Sequence, residues 1–331
     1  MTVGSSALRC ITNRRVQSVS TYRFRGLPMY DRCEAENIIA SARPPFCKPL
    51  GGFCGGIRLS MEVAALCTGI ALYDTEHISP AIAFEIGRSF FEAIGVPVTG
   101  GSYYEYLIPG DHEGDHDLVE VSLDRLKEKI FAGEADSFWL YCERKGSVPW
   151  HAAFSRQTGG FGSFPHLAAM CEFPPDGVYI KLTDWLKDVA ERAQVPYGVL
   201  YAAGKMTNTY YYAGGDNGTA LFPYENGFAF KHETPGLYNG EGRYVDQMLR
   251  MVYPCNLLNS RHLNMVIDGV RLEDWITGSQ ERGLLTRIGN DQWMWEVGEE
   301  RLDSVNQACG EAGLLVAWKS RQPKKTVRKL P

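Results

Sequence analysis

Strand-like segments alternate with well-capped helices through residues 57–204, and this alternation restricts the fold more than any other sequence feature. Apolar residues recur at every second position between 57 and 63, as in a half-buried strand. A helix then begins at Ser79 and Pro80 and ends at Gly95, since these residue types are typical of helix starts and ends. Strands joined by hairpins and interrupted by helices indicate an α+β fold with mainly antiparallel sheets, rather than a doubly wound parallel sheet.

The same local signals predict the remaining elements. Strands are predicted at 98–108, 138–143, 150–155, 166–173, 197–203, 284–287, 292–297 and 314–318. Further helices are predicted at 122–132, 183–193, 243–252, 272–277 and 299–312. The segment 205–242 is rich in Gly, Asn, Thr and Tyr without a clear period, so we interpret it as a long irregular connection and a candidate boundary between two lobes.

These elements divide the 331 residues into three parts. Residues 1–55 lack sustained periodicity and are interpreted as an N-terminal extension. Residues 56–318 form the predicted α+β domain. Residues 319–331 carry six basic and no acidic side chains, and we interpret them as a disordered basic tail.

Cysteine content and hydropathy indicate a cytoplasmic protein. The nine cysteines are an odd number and include no C-x-x-C pair, so reduced and mostly buried thiols are expected. The longest near-apolar run, 63–73, is much shorter than the roughly 20 residues of a membrane span. The first 30 residues lack the apolar core of a signal peptide.

Charge is distributed unevenly along the chain, although the formal net charge is only −5. Residues 1–50 hold eight basic and three acidic side chains, and 319–331 hold six basic ones. The remaining residues, 51–318, therefore hold 20 basic and 36 acidic side chains, a net charge of −16. Such a body repels nucleic acid and attracts basic protein surfaces, although many acidic proteins are simply soluble.

The letters H-E-x-x-H occur once, at His112, Glu113 and His116. On a helix this spacing holds zinc between two imidazoles and supplies a glutamate as general base. Here Pro109-Gly110 precedes the motif and Gly114 lies inside it, so the helix is not expected. A metal-dependent hydrolase is therefore the alternative function, and a solvated acidic loop explains the same residues.

Five carboxylates within ten residues form a candidate binding segment for a basic partner, although a hydrated loop would explain them equally well. They are Asp111, Glu113, Asp115, Asp117 and Glu120.

The consecutive residues Tyr210, Tyr211 and Tyr212 in the irregular connection are further interface candidates, because tyrosine is frequent at interface hot spots. Trp293 and Trp295 share one face of a predicted strand, where packing under a helix is the favoured explanation.

A specific pattern of packing and turn residues lies within 243–318. It consists of Val252-Tyr-Pro-Cys-Asn-Leu-Leu-Asn-Ser-Arg-His-Leu263, Gly269, Leu272, Trp275, Ile276, Gly283, Leu285, Trp295, Val297 and Ala312-Gly-Leu-Leu315. This pattern resembles the TsiT-like immunity-protein family. The resemblance covers about 75 residues, with general agreement of element order through 57–204. In this segment we expect Pro254 to end a helix, Asn256 and His262 to bond to loop backbone, Leu263 and Leu272 to lie in the core, and Gly269 to make a turn.

The family is encoded beside type VI secretion effectors with a restriction-endonuclease-type nuclease domain. The resemblance therefore implies an antitoxin that neutralises a cognate nuclease by direct protein contact, without catalytic residues or cofactors. An acidic body would fit a toxin whose surface is basic because it holds DNA. A monomer that forms a one-to-one complex is expected, with no direct nucleic-acid or membrane partner.

Overall fold

A computed structural model describes residues 66–108, 115–143, 150–161, 163–235 and 240–319. Within these ranges the strands are β1 (Cys67–Tyr73), β2 (Gly100–Tyr106), β3 (His116–Val121), β4 (Phe138–Glu143), β5 (Trp150–Gln157), β6 (His166–Cys171), β7 (Tyr197–Ala203), β8 (Cys255–Leu258), β9 (Val266–Ile267), β10 (Val270–Arg271), β11 (Leu284–Arg287) and β12 (Trp293–Glu296). The α-helices are α1 (Pro80–Ile94), α2 (Leu123–Phe131), α3 (Pro175–Ala193), α4 (Met206–Gly214), α5 (Ala229–His232), α6 (Ser260–Leu263), α7 (Leu272–Thr277) and α8 (Glu299–Glu311). The predicted extension 1–55, the strand predicted at 57–63 and the tail beyond 319 lie outside the described residues.

Ten strands form one antiparallel sheet, which confirms the α+β class. Their order is β11-β12-β8-β7-β1-β6-β5-β4-β2-β3. The remaining two strands, β9 and β10, form a small hairpin. Asp268 and Gly269 at its tip both have left-handed φ angles, 51° and 78°, which is the arrangement of a tight two-residue hairpin turn. The turn predicted at Gly269 is therefore confirmed.

Helices cover both faces of the large sheet. Buried side chains of α1, α2 and α3 pack with one face, which we call the α1–α3 face. Buried side chains of α4 to α8 belong to the core on the other, which we call the α4–α8 face. Strands β7 and β8, which precede and follow the segment 205–242, are hydrogen-bonded neighbours in the sheet.

The first predicted helix is confirmed at both ends. The side chain of Ser79 accepts a hydrogen bond from the Ile82 amide at 3.3 Å, and Gly95 has a left-handed φ of 73°. Ile86 and Phe90 are buried on its inner face. Local capping determined this helix, because its start and end residues bond only within the helix.

Two helix predictions are wrong. Helix α3 begins at Pro175 rather than at residue 183, and Thr183 lies inside it, where its hydroxyl donates to the Ile180 carbonyl. The segment 243–252 holds only a 3₁₀ turn at Arg243–Val245. Its end does not continue a helix, because the backbone groups of Leu249 and Arg250 bond to residues 314–317 instead.

The strand predicted at 314–318 and the irregular connection predicted at 205–242 also differ from the structure. Leu315 and Trp318 form only isolated bridges, and the turn at 314–317 supplies the backbone partners of Leu249. Helices α4 and α5 occupy part of 205–242. The sequence of these helices has weak helical periodicity. They are stabilised instead by burial of aromatic side chains such as those of Tyr212 and Phe230.

Most residues that carry the family resemblance have the expected structural roles. Pro254 is the exception: it does not end a helix, because the segment before it holds only the 3₁₀ turn Arg243–Val245. The Asn256 side chain bonds to the backbone of Tyr253 at 3.0 and 2.7 Å. An imidazole nitrogen of His262 lies 3.1 Å from the Tyr244 carbonyl. The side chains of Leu263 and Leu272 are buried in the core of the α4–α8 face.

The described cysteines confirm the prediction of buried, reduced thiols. They are Cys67, Cys142, Cys171, Cys255 and Cys309. All five are free and buried, and burial raises the pKa of the Cys171 thiol to about 11. No helix in the described ranges has the length and apolar character to cross a membrane.

Candidate functional site

The acidic segment continues into a strand at one edge of the large sheet. Strand β3 pairs with β2, which places Glu120 opposite Ser102. The prediction of a loop is therefore wrong from His116 onwards. Hydrogen bonding to β2 and the β-branched residues Val119 and Val121 stabilise a strand despite the local charge.

The predicted acidic residues that the structure describes do not all lie on one face of the sheet. Successive side chains of a strand point to opposite faces, so Asp117 lies on the α1–α3 face and Glu120 on the α4–α8 face. Asp115 is exposed just before the strand, and its carbonyl accepts a hydrogen bond from the Leu107 amide at 2.9 Å. Asp111 and Glu113 lie outside the described residues.

Negative charge is concentrated around this edge. Residues 105–143 hold eleven acidic and three basic side chains, a net charge of −8, which is half of the net charge of 51–318. Two of the three bases are already paired, because Arg125 and Lys129 form ion pairs with acids of the same region. In the described part of the chain, Asp115, Asp117 and Glu120 form no ion pair. Their charge is therefore available to an external partner.

The influence of Glu120 reaches β4, which lies beyond β2 in the sheet. Burial raises the pKa of Tyr141 to about 12, and the negative charges of Glu120 and Glu143 contribute to the increase. The Tyr141 hydroxyl donates to the Gly101 carbonyl at 3.4 Å. Glu120 and Glu143 thus act together on the α4–α8 face of strands β2, β3 and β4.

Four aromatic rings lie beside Glu120 on the α4–α8 face. The ring of Phe161 is 4.7 Å from Tyr106, 5.3 Å from Tyr104 and 5.1 Å from His116, measured between centroids. The Tyr106 hydroxyl donates to the Gly160 carbonyl at 2.5 Å. This cluster orders the end of the β2–β3 ladder, because its rings tie the two strands to the turn after β5.

Three large apolar side chains are exposed at the same edge, and the sequence reasoning missed them. Leu107 is 56% exposed, Ile108 66% and Leu118 37%. Leu107 and Ile108 directly follow β2, and Leu118 lies within β3. The alternation of Val119 and Val121 with Glu120 could have indicated a strand here. Exposed apolar residues surrounded by charge are a common composition of protein interfaces.

The three tyrosines lie on helix α4, not in an irregular loop. The Tyr210 ring packs 5.0 Å from Trp139 and 6.4 Å from Trp150. Tyr211 is half-buried, whereas Tyr212 is completely buried and offers no surface to a partner in this conformation. Tyr212 is therefore removed from the predicted interface residues. A binding role for Tyr210 and Tyr211 stays a prediction.

Tyr212 instead belongs to a buried polar network. Its hydroxyl donates to Glu225 Oε1 at 2.7 Å and lies 2.5 Å from the hydroxyl of Tyr253. Arg250 Nη1 donates to the Tyr212 carbonyl at 2.5 Å and to the Tyr73 hydroxyl at 3.0 Å. Arg250 Nε lies 3.8 Å from Glu225 Oε1, and both side chains are fully buried. These contacts hold the ion pair in the core, although Arg250 Nε and Nη2 form no hydrogen bond with the described residues.

The structure describes one of the three residues proposed for a hydrolase. His116 lies in strand β3, whereas the metalloprotease motif requires its histidines on a helix. His112 and Glu113 lie outside the described residues. Among the residues that the structure does describe, no group of three or more His, Cys, Asp or Glu side chains is arranged to hold a metal ion.

Two buried histidines predict a loss of stability in mild acid. Burial lowers the pKa of His166 and of His262 from 6.5 to about 4. The unfolded chain takes up these protons near pH 6.5, while the folded chain stays neutral at both sites down to about pH 4. The free energy of unfolding should therefore decrease as the pH falls through this window, with no further contribution from the two groups below it. Urea denaturation at several pH values measures this decrease. In His166→Phe the free energy of unfolding should depend less steeply on pH, and the same dependence as in the wild type would show that His166 does not contribute.

Comparisons with known proteins give little support for a family. No protein-family model matches the sequence, and no curated protein matches it either. Among solved structures, the Pseudomonas aeruginosa T6SS protein PA0821 is similar, with 12% sequence identity, a TM-score of 0.47, and coverage of 78% of this chain and 77% of that chain. A likeness at this level carries no argument about the function of this chain, and the TsiT-like assignment stays a prediction.

Proposed function

We propose that this chain is an immunity protein that binds a type VI secreted nuclease and neutralises it by direct contact. The β3 edge supports the proposal, because it combines unpaired carboxylates with exposed apolar side chains. The sequence resemblance of 243–318 to TsiT-like proteins supplies the class of partner. We propose no catalytic residue and no cofactor for this function.

Charge and apolar surface would contribute differently to such a complex. A nuclease surface that holds DNA is basic, so the net charge of −8 around β3 accelerates encounter at low salt. Exposed ion pairs contribute only about 0–1 kcal/mol each. Burial of Leu107, Ile108 and Leu118 at roughly 25 cal/mol per Å² therefore contributes much of the affinity.

Inhibition of the nuclease is the direct test. The purified chain is mixed with the nuclease encoded by the neighbouring open reading frame, and cleavage of supercoiled plasmid is followed on a gel. We expect cleavage to stop at a one-to-one ratio, in a complex that buries about 1,600 Å². Full nuclease activity at molar excess of the chain would overturn the proposal.

Two measurements test the alternative of a metal-dependent hydrolase. That alternative requires a metal ion bound to the purified chain, which metal analysis detects. It also requires that the chain alone has hydrolase activity and that His112→Ala abolishes this activity.

Charge reversal at β3 should slow association with the nuclease. The double variant Asp117→Lys/Glu120→Lys changes the net charge by +4, so the on-rate should fall roughly tenfold at low salt. The difference should shrink as salt rises, because salt screens exposed charges. Stopped-flow fluorescence measures both effects. Glu191→Lys on α3, an exposed acid away from β3, is the control with a charge change of +2, and equal slowing by this variant would exclude β3 as the docking edge.

A further inference from the structure

We propose that the partner binds by adding a strand to the outer edge of β3, through an extended segment whose basic residues lie three positions apart. This inference rests on the proposed function for the identity of the partner as a nuclease. It specifies the binding mode and the chemistry of the recognised segment. Three features of the edge carry it: its backbone, its charge relative to the other edge, and the direction of its side chains.

The backbone of β3 is suited to strand addition. Six residue pairs join β2 and β3, and the hydrogen bond from Leu107 to the Asp115 carbonyl extends this ladder. The ladder therefore holds β3 extended over roughly 20 Å. In the described part of the chain β3 pairs with no strand besides β2. The outer N–H and C=O groups of such an edge are the usual template for an added strand.

The opposite edge of the sheet differs in length and charge. Strand β11 has four residues and ends in Arg287, whose guanidinium donates to the carbonyls of Gly289 and Asn290. Strand β3 has six residues and carries Asp117 and Glu120 without a basic residue of its own. A cationic segment is thus attracted to β3 and gains no such attraction at β11.

Side-chain direction defines the spacing in the partner. Asp117 and Glu120 lie three positions apart and point to opposite faces. A strand paired with β3 places its own residues directly opposite these two, at the same separation. Two basic residues three positions apart would therefore meet one carboxylate on each face. Leu118 and Val119, between the acids, favour apolar or β-branched residues at the two intervening positions.

Synthetic peptides test the mode without the nuclease. The first probe is an eight-residue peptide, Thr-Val-Lys-Val-Thr-Lys-Val-Thr with capped ends, labelled for fluorescence anisotropy. The second has the same sequence with N-methyl groups on the central amides, which keeps the charge but blocks strand pairing. The third has the same composition with its lysines two positions apart. We expect the second to bind the full chain at least ~10-fold more weakly, because it loses two or more backbone hydrogen bonds, and the third to bind more weakly than the first.

Hydrogen exchange on the complex locates the contact. Binding of the first peptide should slow amide exchange within residues 116–121 and leave 284–287 unchanged. The variant Asp117→Lys/Glu120→Lys should lose the binding, while Glu191→Lys should retain it.

Several outcomes would overturn the inference. Equal binding of the first two peptides would show attraction by charge alone. Protection at β11, or no binding of the first peptide, would exclude strand addition at β3. Because none of these measurements uses the nuclease, strand addition can fail while plasmid protection still succeeds, and the two proposals are tested separately.

Discussion

Replacing Arg250 with methionine is expected to lower the free energy of unfolding by about 3–5 kcal/mol, because it leaves a buried charge without its partner. Glu225 is fully buried and would keep only neutral donors, the Tyr212 hydroxyl and the backbone amides of Leu221 and Phe222. The variant also removes a guanidinium that lies 3.6 Å from the ring centroid of Tyr212 and 4.2 Å from that of Phe230. Methionine fills much of the arginine volume, so the loss would reflect the charge and its hydrogen bonds.

The same substitution at an exposed arginine is the control. Arg261 forms an ion pair with Asp246 at 2.6 Å, but 75% of its side chain is exposed. Arg261→Met should therefore change the free energy of unfolding by at most about 1 kcal/mol. Urea denaturation followed by tryptophan fluorescence measures both variants. Similar losses in the two variants would show that burial of the Arg250–Glu225 pair is not what stabilises the fold.

Replacing Trp295 with alanine is expected to lower the free energy of unfolding by about 3–5 kcal/mol, since it opens a cavity in the core. Trp295 is fully buried and lies on β12, between Asn256 of β8 and Leu285 of β11. Its Nε1 donates to the Arg282 carbonyl at 2.7 Å. The variant loses both the packing and this hydrogen bond, and it leaves the Arg282 carbonyl without that donor.

Trp293→Ala is the matched control on the same strand and the same face. Trp293 is only partly buried, and the guanidinium of Arg287 lies 5.5 Å from its ring centroid. Its truncation should cost less than half as much as that of Trp295, because less apolar area is lost. The two urea midpoints measure this difference. Equal losses would mean that Trp293 is as deeply buried in solution as Trp295.

Local signals predicted the elements whose stability arises within the element. Helix α1 needs only the Ser79 side chain at its start and Gly95 at its end, and both are recognisable from residue type. The hairpin of β4 and β5 was also predicted correctly, since both strands show their own apolar pattern. The backbone-bonding roles expected of Asn256 and His262 within the segment that carries the family resemblance are also confirmed.

Elements that depend on distant partners were missed. Residues 249–252 carry a helix-like pattern, but Arg250 bonds to Tyr73, 177 positions away in the chain. The contact with Tyr73 and the backbone bonds to 314–317 take the place of helical hydrogen bonds in this segment. The local charge of β3 likewise favours a loop, and only its pairing with β2 makes it a strand.

The sequence by itself determined the α+β class, the capped helices, the hairpins and the acidic character of the body, because caps, two-residue periodicity and charge are properties of neighbouring residues. Only the tertiary structure decided that Asp117 and Glu120 point to opposite faces of an edge strand and that Tyr212 is buried beside Arg250. The physical reason is that strand order and burial depend on contacts between residues far apart in the chain, and the energy of those contacts exceeds local preference.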